Sequence, residues 1–443
     1  MSLLLGIDLG TSYFKVGLFD ERGALKGLGR VPVEKVVSAP GRVELPISIF
    51  WHLLRRGLGR ALAQAKADIS QIAALSYSSQ ASTFVLLDQF DTPLTQIIFW
   101  TDSRADPVDD DLMAFSQTAV FRETVGFAGM TSQSAVSKWR WLQRNEPDLW
   151  RSTRRIMTLS DYFTFALTGE RAGDAGTAAF LGIYDLKNRR WWRDGLAAFQ
   201  IEEEKLSTPL LPGSRCGHTS VRAREFLGLS SGIPFAVGSL DHHVAAVGSG
   251  LERFADVSIS TGTVLAALAL VDEVSPTHNC YHGPHLDGLR YFRLAFDAFG
   301  AGQLDDYQRN VMPDYTIEQL IELAICASRE PTGTSNAGAA ERVHGTAILR
   351  LLEKIATSHR GLVQQVAVRK VREIVATGGG ARSPFWLQIK ADIIGVRIIT
   401  PSCSERACLG AAAFAAVAAG YYATTDEALG AMVHAHETYE PHL

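Results

Sequence analysis

One short stretch near the start, Gly6 to Asp20, limits what this chain can become more than any other. The apolar run Leu3-Leu4-Leu5 reads as a buried strand, and Lys15 to Phe19 as a second strand ending at Asp20 and a Glu-Arg-Gly turn. Between them lie Asp8, Gly10, Thr11 and Ser12, so the stretch is a β-hairpin with a tight polar tip. Such a tip offers backbone N–H groups and hydroxyls to phosphate oxygens. Lys15 adds a point charge, and Asp8 is a hard oxygen donor of the kind Mg²⁺ accepts, usually through water. An ordinary edge hairpin, with Asp and Gly as turn formers, would use the same residues. The rest of the chain has to decide between the two.

A length of 443 residues favours two domains, and an apolar content of 47% lets each bury a full core. The net charge of -4, without a basic block, argues against a nucleic-acid backbone as partner. The five cysteines are scattered with no C-x-x-C pair, which points to free thiols in a reducing compartment. No basic region precedes the opening apolar run, so it is not read as a signal peptide. Ala407 to Ala423 is rich in Ala and Gly and falls short of the ~20 strongly apolar residues of a membrane span. A cytoplasmic protein with no membrane partner is expected.

Further along, Ser78-Ser79-Gln80-Ala81-Ser82 forms a small polar loop between two strands, the kind that lines clefts. The strand Ile97 to Trp100 runs into Thr101-Asp102-Ser103-Arg104. If it continued, Trp100, Asp102 and Arg104 would share one side as an apolar plate, an acceptor and a fork of donors, a surface suited to sugar. A capped helix start with a surface ion pair fits as well. Asp241 follows the apolar strand Phe235 to Gly238 at the mouth of a small-residue helix, where open α/β sheets present functional groups; a helix N-cap is the plainer reading. Val257 to Leu270 repeats the opening device, with Thr261-Gly262-Thr263 at its tip. Ile374 to Thr377 enters a Gly378-Gly379-Gly380 turn and a helix from Pro384, and residues 331–339 read as a surface loop.

Seven segments, in this order, resemble the FGGY carbohydrate kinases. They are Gly-Ile-Asp-Leu-Gly-Thr-Ser at 6–12, Ser-Lys-Trp-Arg-Trp-Leu at 137–142, and Asp-Tyr-Phe-Thr-Phe-Ala-Leu-Thr-Gly-Glu at 161–170. The others are Gly238 to Gly250, Ser-Thr-Gly-Thr at 260–263, Gly-Gly-Gly-Ala at 378–381 and Glu-Arg-Ala-Cys-Leu-Gly-Ala-Ala-Ala at 405–413. The resemblance implies an α/β fold of two RNase H-like domains, the actin/hexokinase superfold, with an interdomain cleft. It divides the chain into a sugar-side domain over 1–244 and a nucleotide-side domain over 245–443. It implies ATP-dependent phosphorylation of a ketose or polyol hydroxyl with MgATP as donor. By position, Asp241 would be the general base and Asp8 the acid on the Mg²⁺ side. Thr11, Ser12, Lys15 and Thr263 would face the phosphates. Gly300, Gly379 and Ser383 would line the nucleotide, and Gln80, Trp100, Asp102 and Arg104 the sugar. A homodimer stays open.

The departures from the family are as informative. Xylulokinase-like members carry Met-His after the loop Gln and glycerol-kinase-like members Arg-Glu, where this chain has Ala81-Ser82, so neither sugar carries over. The region from about 310 to 345 is also shorter than is usual in the family. A non-catalytic relative or an ATPase switch of the same superfold is the alternative function. A Rossmann dehydrogenase is excluded, since no G-x-G-x-x-G opens a helix after the first strand.

Overall fold

A computed structural model describes the chain except Met1, Thr263, residues 276–279, Phe299, Ala301, residues 330–338 and Leu443. Of residues 339 and 340 only the backbone is described. The expected tip residue Thr263 and nearly all of the expected 331–339 loop therefore lie outside the described residues. The chain forms two compact units that interleave. The larger takes Met1–Gly248, Leu270–Arg293 and Cys403–His434, and the smaller takes Ser249–Ala269, Leu294–Ser402 and Ala435–Leu443.

The larger unit is built on a mixed sheet. Its central strands are β1 (Leu3–Leu9), β2 (Tyr13–Phe19), β3 (Leu25–Pro32) and β4 (Ile72–Ser79), in the order β4-β1-β2-β3. β1 and β2 are antiparallel, with Asp8 opposite Lys15, whereas β4 runs parallel to β1, with Ser78 beside Asp8. A two-residue strand, Ser239–Leu240, adds to β4 in parallel through Ser239↔Ser78 and Leu240↔Ser79. A five-stranded sheet, from Val36–Ala39 to Arg155–Thr158, stands beside it in the same unit.

β1 is buried along its whole length. One of its covers comes from the far end of the chain: helix Arg406–Ala418, an Ala-rich element that packs on β1 and β4. The approach is so close that a Cβ on Gly6 would sit 2.0 Å from the Cys408 carbonyl oxygen. At Gly248 a Cβ would stand 2.1 Å from the Arg406 carbonyl oxygen. These two absent side chains seat the late helix against β1 and against helix Asp241–Val247.

In the smaller unit a second hairpin, Val257–Thr261 with Leu265–Val271, pairs in parallel with Glu373–Gly378. Arg397–Pro401 continues the parallel run and Ala435–Tyr439 closes it antiparallel. Helix Pro384–Ile394 starts where the sequence places it, with proline in its first turn and the Ser383 hydroxyl accepting from Trp386 N–H at 3.3 Å. A long helix, Ala339–Val366, precedes the Glu373–Gly378 strand.

Two local expectations gave way. The strand at 97 ends at Ile98, so Trp100, Asp102 and Arg104 lie on a turn and not on one strand face. The cause is Asp102, whose carboxylate accepts the Val43 N–H at 2.7 Å and folds the chain back. The N-cap expected as the plainer role of Asp241 is Leu240 instead, and Asp241 is the first helical residue, directly after the short strand Ser239–Leu240.

Candidate active site

The site in the larger unit follows from strand register. Three adjacent parallel strands end together: β1 after Asp8, β4 after Ser78, and the short strand just before Asp241. Carboxyl ends of parallel strands are where such sheets collect ligand-binding groups. The antiparallel pairing of β1 and β2 puts Lys15 directly across from Asp8, within side-chain reach. Its ammonium lies 3.3 Å from Asp8 Oδ2 and 3.4 Å from Glu405 Oε2, while Asp8 Oδ1 accepts from the Ser78 hydroxyl at 3.1 Å.

Electrostatically this is one cluster. Burial pushes the Asp8 carboxyl above its usual range, Lys15 pulls it back, and the neighbouring Asp241 carboxylate pushes it up again. Burial also works against the Lys15 ammonium, but Asp8 and Glu405 outweigh it and hold that group above the ordinary lysine range. Lys15 is therefore a fixed cation. Asp241 is half exposed, and its Oδ1 accepts the N–H of His242 at 2.8 Å.

Asp8 keeps lone pairs beyond its two protein partners. Among the described residues no group of three or more His, Cys, Asp or Glu side chains is arranged to hold a metal. The free lone pairs of Asp8 suit Mg²⁺, which binds through one or two carboxylates with water and phosphate completing its shell.

Beside the tip is a second, uncharged knot. The Trp100 indole N–H donates to Thr11 Oγ1 at 2.8 Å, and that hydroxyl donates to Gln80 Oε1 at 3.3 Å. Gln80 returns its amide to the Leu9 and Gly10 carbonyls and accepts from Thr83. Thr11 and Trp100 are half buried, Ser12 is exposed, and Gln80 is buried. Asp102 and Arg104 are buried against each other. Arg104 Nε and Nη2 each donate to one Asp102 oxygen at 2.9 Å, and Nη2 also reaches Glu44. The fork keeps Asp102 below the usual carboxylate range despite its burial. Of the four residues expected on the sugar side, only Trp100 shows a half-exposed face. The other three hold the shape around it.

In the smaller unit, Gly378 and Gly379 follow the strand beside Thr261, and Gly300 sits against Leu265, across the second tip. Gly300 N–H donates to Asp297 at 3.0 Å. Gly300 and Gly379 thus lie against the strands of the second hairpin, while Ser383 caps the helix that follows the glycine turn.

Three partners were not anticipated. Glu405 joins Lys15 from the mouth of the last buried helix; an acid at the head of an alanine-rich run was the available signal. Ser78 was seen only as a loop residue. Lys138 lies fully buried in the 137–142 segment and donates to the carbonyls of Phe99, Trp100 and Gln133 at 2.9 to 3.2 Å. Three acceptors match an ammonium's three donors, and they fix the turn that carries Trp100.

Residues 3–248 match the N-terminal domain of the FGGY family of carbohydrate kinases, and residues 333–419 match its C-terminal domain. The chain is 23% identical over 465 aligned residues to a xylulose kinase of Staphylococcus epidermidis, covering 99% of this chain and 92% of that one. It is 26% identical over 490 residues to an autoinducer-2 kinase of Yersinia pseudotuberculosis, covering 99% and 90%. The crystal structure of a ligand-bound xylulose kinase from Lactobacillus acidophilus superposes with a TM-score of 0.86 at 21% identity, over 100% of this chain and 94% of that one. The α/β architecture is that of the actin/hexokinase superfold. No helix among the described residues is long and apolar enough to cross a membrane. The chain belongs to the FGGY family of carbohydrate kinases, enzymes that phosphorylate sugars with ATP.

Proposed function

We propose that Asp241 is the general base of a sugar kinase that takes MgATP as donor and a ketose or polyol as acceptor. The observation that carries this is the convergence of Asp8, Lys15, Ser78 and the half-exposed Asp241 at the ends of three adjacent parallel strands. The acceptor hydroxyl gives its proton to the Asp241 carboxylate. Its oxygen forms a bond to the γ-phosphorus while the bond from that phosphorus to the bridging oxygen breaks and ADP leaves. Phosphoryl transfer asks for position and charge more than for covalent chemistry. Lys15, kept cationic by its two carboxylates, meets charge on the γ-phosphoryl oxygens, with Thr11 and Ser12 donating from the tip. Asp8 would hold Mg²⁺, which when bound draws charge from the phosphate oxygens. Thr263, Gly300, Gly379 and Ser383 serve the nucleotide. Trp100 offers its ring to the sugar, and Gln80, Asp102 and Arg104 keep that ring and the tip in place.

The test is a coupled ADP-release assay over ketopentoses, ketohexoses and polyols with the wild type and Asp241→Asn. The variant should lose turnover by roughly 10²- to 10⁴-fold, the usual worth of general-base assistance, while still binding ATP in calorimetry. Unchanged turnover would remove Asp241 from the role.

A further inference from the structure

Lys35 lies outside every segment that carries the family resemblance, yet its ammonium stands at the opening hairpin's tip. The backbone brings it there: β3 ends at Pro32, and the Val33 N–H donates to the Ser12 carbonyl at 3.0 Å. Two residues on, Lys35 Nζ donates to the Thr11 carbonyl at 3.2 Å and lies 5.3 Å from the centre of the Phe99 ring. It therefore borders the Thr11–Trp100–Gln80 knot, on the side of the turn that carries the Trp100 ring.

The cations around this tip differ in how they are matched. Lys15 has Asp8 and Glu405, Arg104 has Asp102 and Glu44, and Lys138 has three carbonyls. Lys35 has one carbonyl. Burial pulls its ammonium below the ordinary lysine range, and among the described residues no carboxylate offsets that pull. Two of its three donors are left for something else. A half-buried ammonium without a counter-charge is an unfavourable placement unless a ligand completes it.

We infer that Lys35 is a specificity-determining residue that holds the carboxylate of a sugar-acid acceptor, which narrows the acceptor from the neutral ketose or polyol considered above to aldonates and related hydroxy acids. This rests on the kinase reading above. The γ-phosphoryl of the nucleotide is the other source of an oxyanion near the tip. Lys15 already stands on the phosphate side, whereas Lys35 packs toward Phe99 and Trp100, which favours the acceptor.

The experiment compares wild type, Lys35→Met and Lys35→Arg with five- and six-carbon aldonates and the matching polyols. Steady-state phosphorylation is read by ADP release and aldonate binding by calorimetry. The wild type should favour the acid. Lys35→Met should raise the KM for the aldonate roughly 10- to 100-fold, the size of a charge-assisted hydrogen bond, and leave the KM for ATP within about twofold. Lys35→Arg should recover part of the loss. A rise in the KM for ATP without one for the acid would hand Lys35 to the nucleotide and overturn the inference, as would a wild type that turns over the neutral polyols equally well. If no acceptor is phosphorylated at all, the kinase reading fails. Binding then decides Lys35 separately: an aldonate that binds wild type and Asp241→Asn but not Lys35→Met upholds it, and one that binds none of them sinks it. Should Lys35→Met unfold, Lys35→Gln keeps the comparison.

Discussion

The two hairpins that open the two sheets share a plan and differ in charge. Each has a strand, a three-residue tip, an antiparallel return and a parallel neighbour. In the first, the position before the last residue of the leading strand is Asp8, facing Lys15 across the turn and Ser78 alongside. In the second, the matching position is Ser260, facing Ala266 and Thr377. The first gathers two carboxylates around an ammonium. The second has hydroxyls and one buried lysine, Lys390, which donates to Thr261 Oγ1 at 2.7 Å. The same backbone thus makes a reactive floor in one unit and a neutral cradle in the other.

The sharpest way to break this contrast is Lys15→Met. It removes a preorganised cation and leaves Asp8 and Glu405 facing each other, so kcat should fall about 10²- to 10³-fold. Ser260→Ala in the other hairpin should change kcat by less than about fivefold, and a similar loss from both would erase the distinction.

The two buried lysines sharpen the contrast through stability. Lys138→Met orphans three carbonyls and should cost about 2–4 kcal/mol in urea unfolding. Lys390→Met leaves a single hydroxyl, which can turn elsewhere, and should be neutral or slightly stabilising. Equal losses would show that Lys390 is as firmly anchored as Lys138.

pH gives a finer cut. Burial lowers the Lys390 ammonium to about 7, against roughly 10.4 in an unfolded chain. Between these values the unfolded chain holds a proton that the folded one has released, so stability rises with pH over that window. Below about 7 both forms are charged and the slope vanishes. Lys138, lowered to about 7 as well, adds its own share. Urea midpoints at pH 7 and 9 should rise in wild type and rise less in Lys390→Met.

The smallest effect is expected from Ser78→Ala. Ser78 donates to the charged form of Asp8 and holds its pKa down, so its loss should move the acid limb of kcat/KM to higher pH. No movement would detach Asp8 from the rate-limiting protonation state.

Much of this was legible in the chain because local rules decide it. The hairpins, the proline-started helix at 384 and the cross-strand reach of Asp8 and Lys15 all follow from period-two alternation and turn chemistry. What escaped depends on partners distant in sequence. Nothing near Glu405 announces Lys15. Nothing in 137–142 says that Lys138 will meet three carbonyls. The side chain of Asp102 turns the strand at 97 by capping Val43, a contact between segments some sixty residues apart. The posture of the residues expected on the sugar side also escaped, since Gln80 and Asp102 spend their polar atoms on their own chain.

The seating of helix Arg406–Ala418 on Gly6 bears on how the protein is made. The strand Leu3–Leu9 and the helix that covers one of its faces lie far apart in the chain, so that face stays uncovered until the helix has been made. An amino-terminal fragment released before that helix would lack both its lid and the acid that neutralises Lys15. The chain already made would remain a scaffold without a finished floor, and termination before that helix should yield aggregation-prone material in place of a smaller working domain.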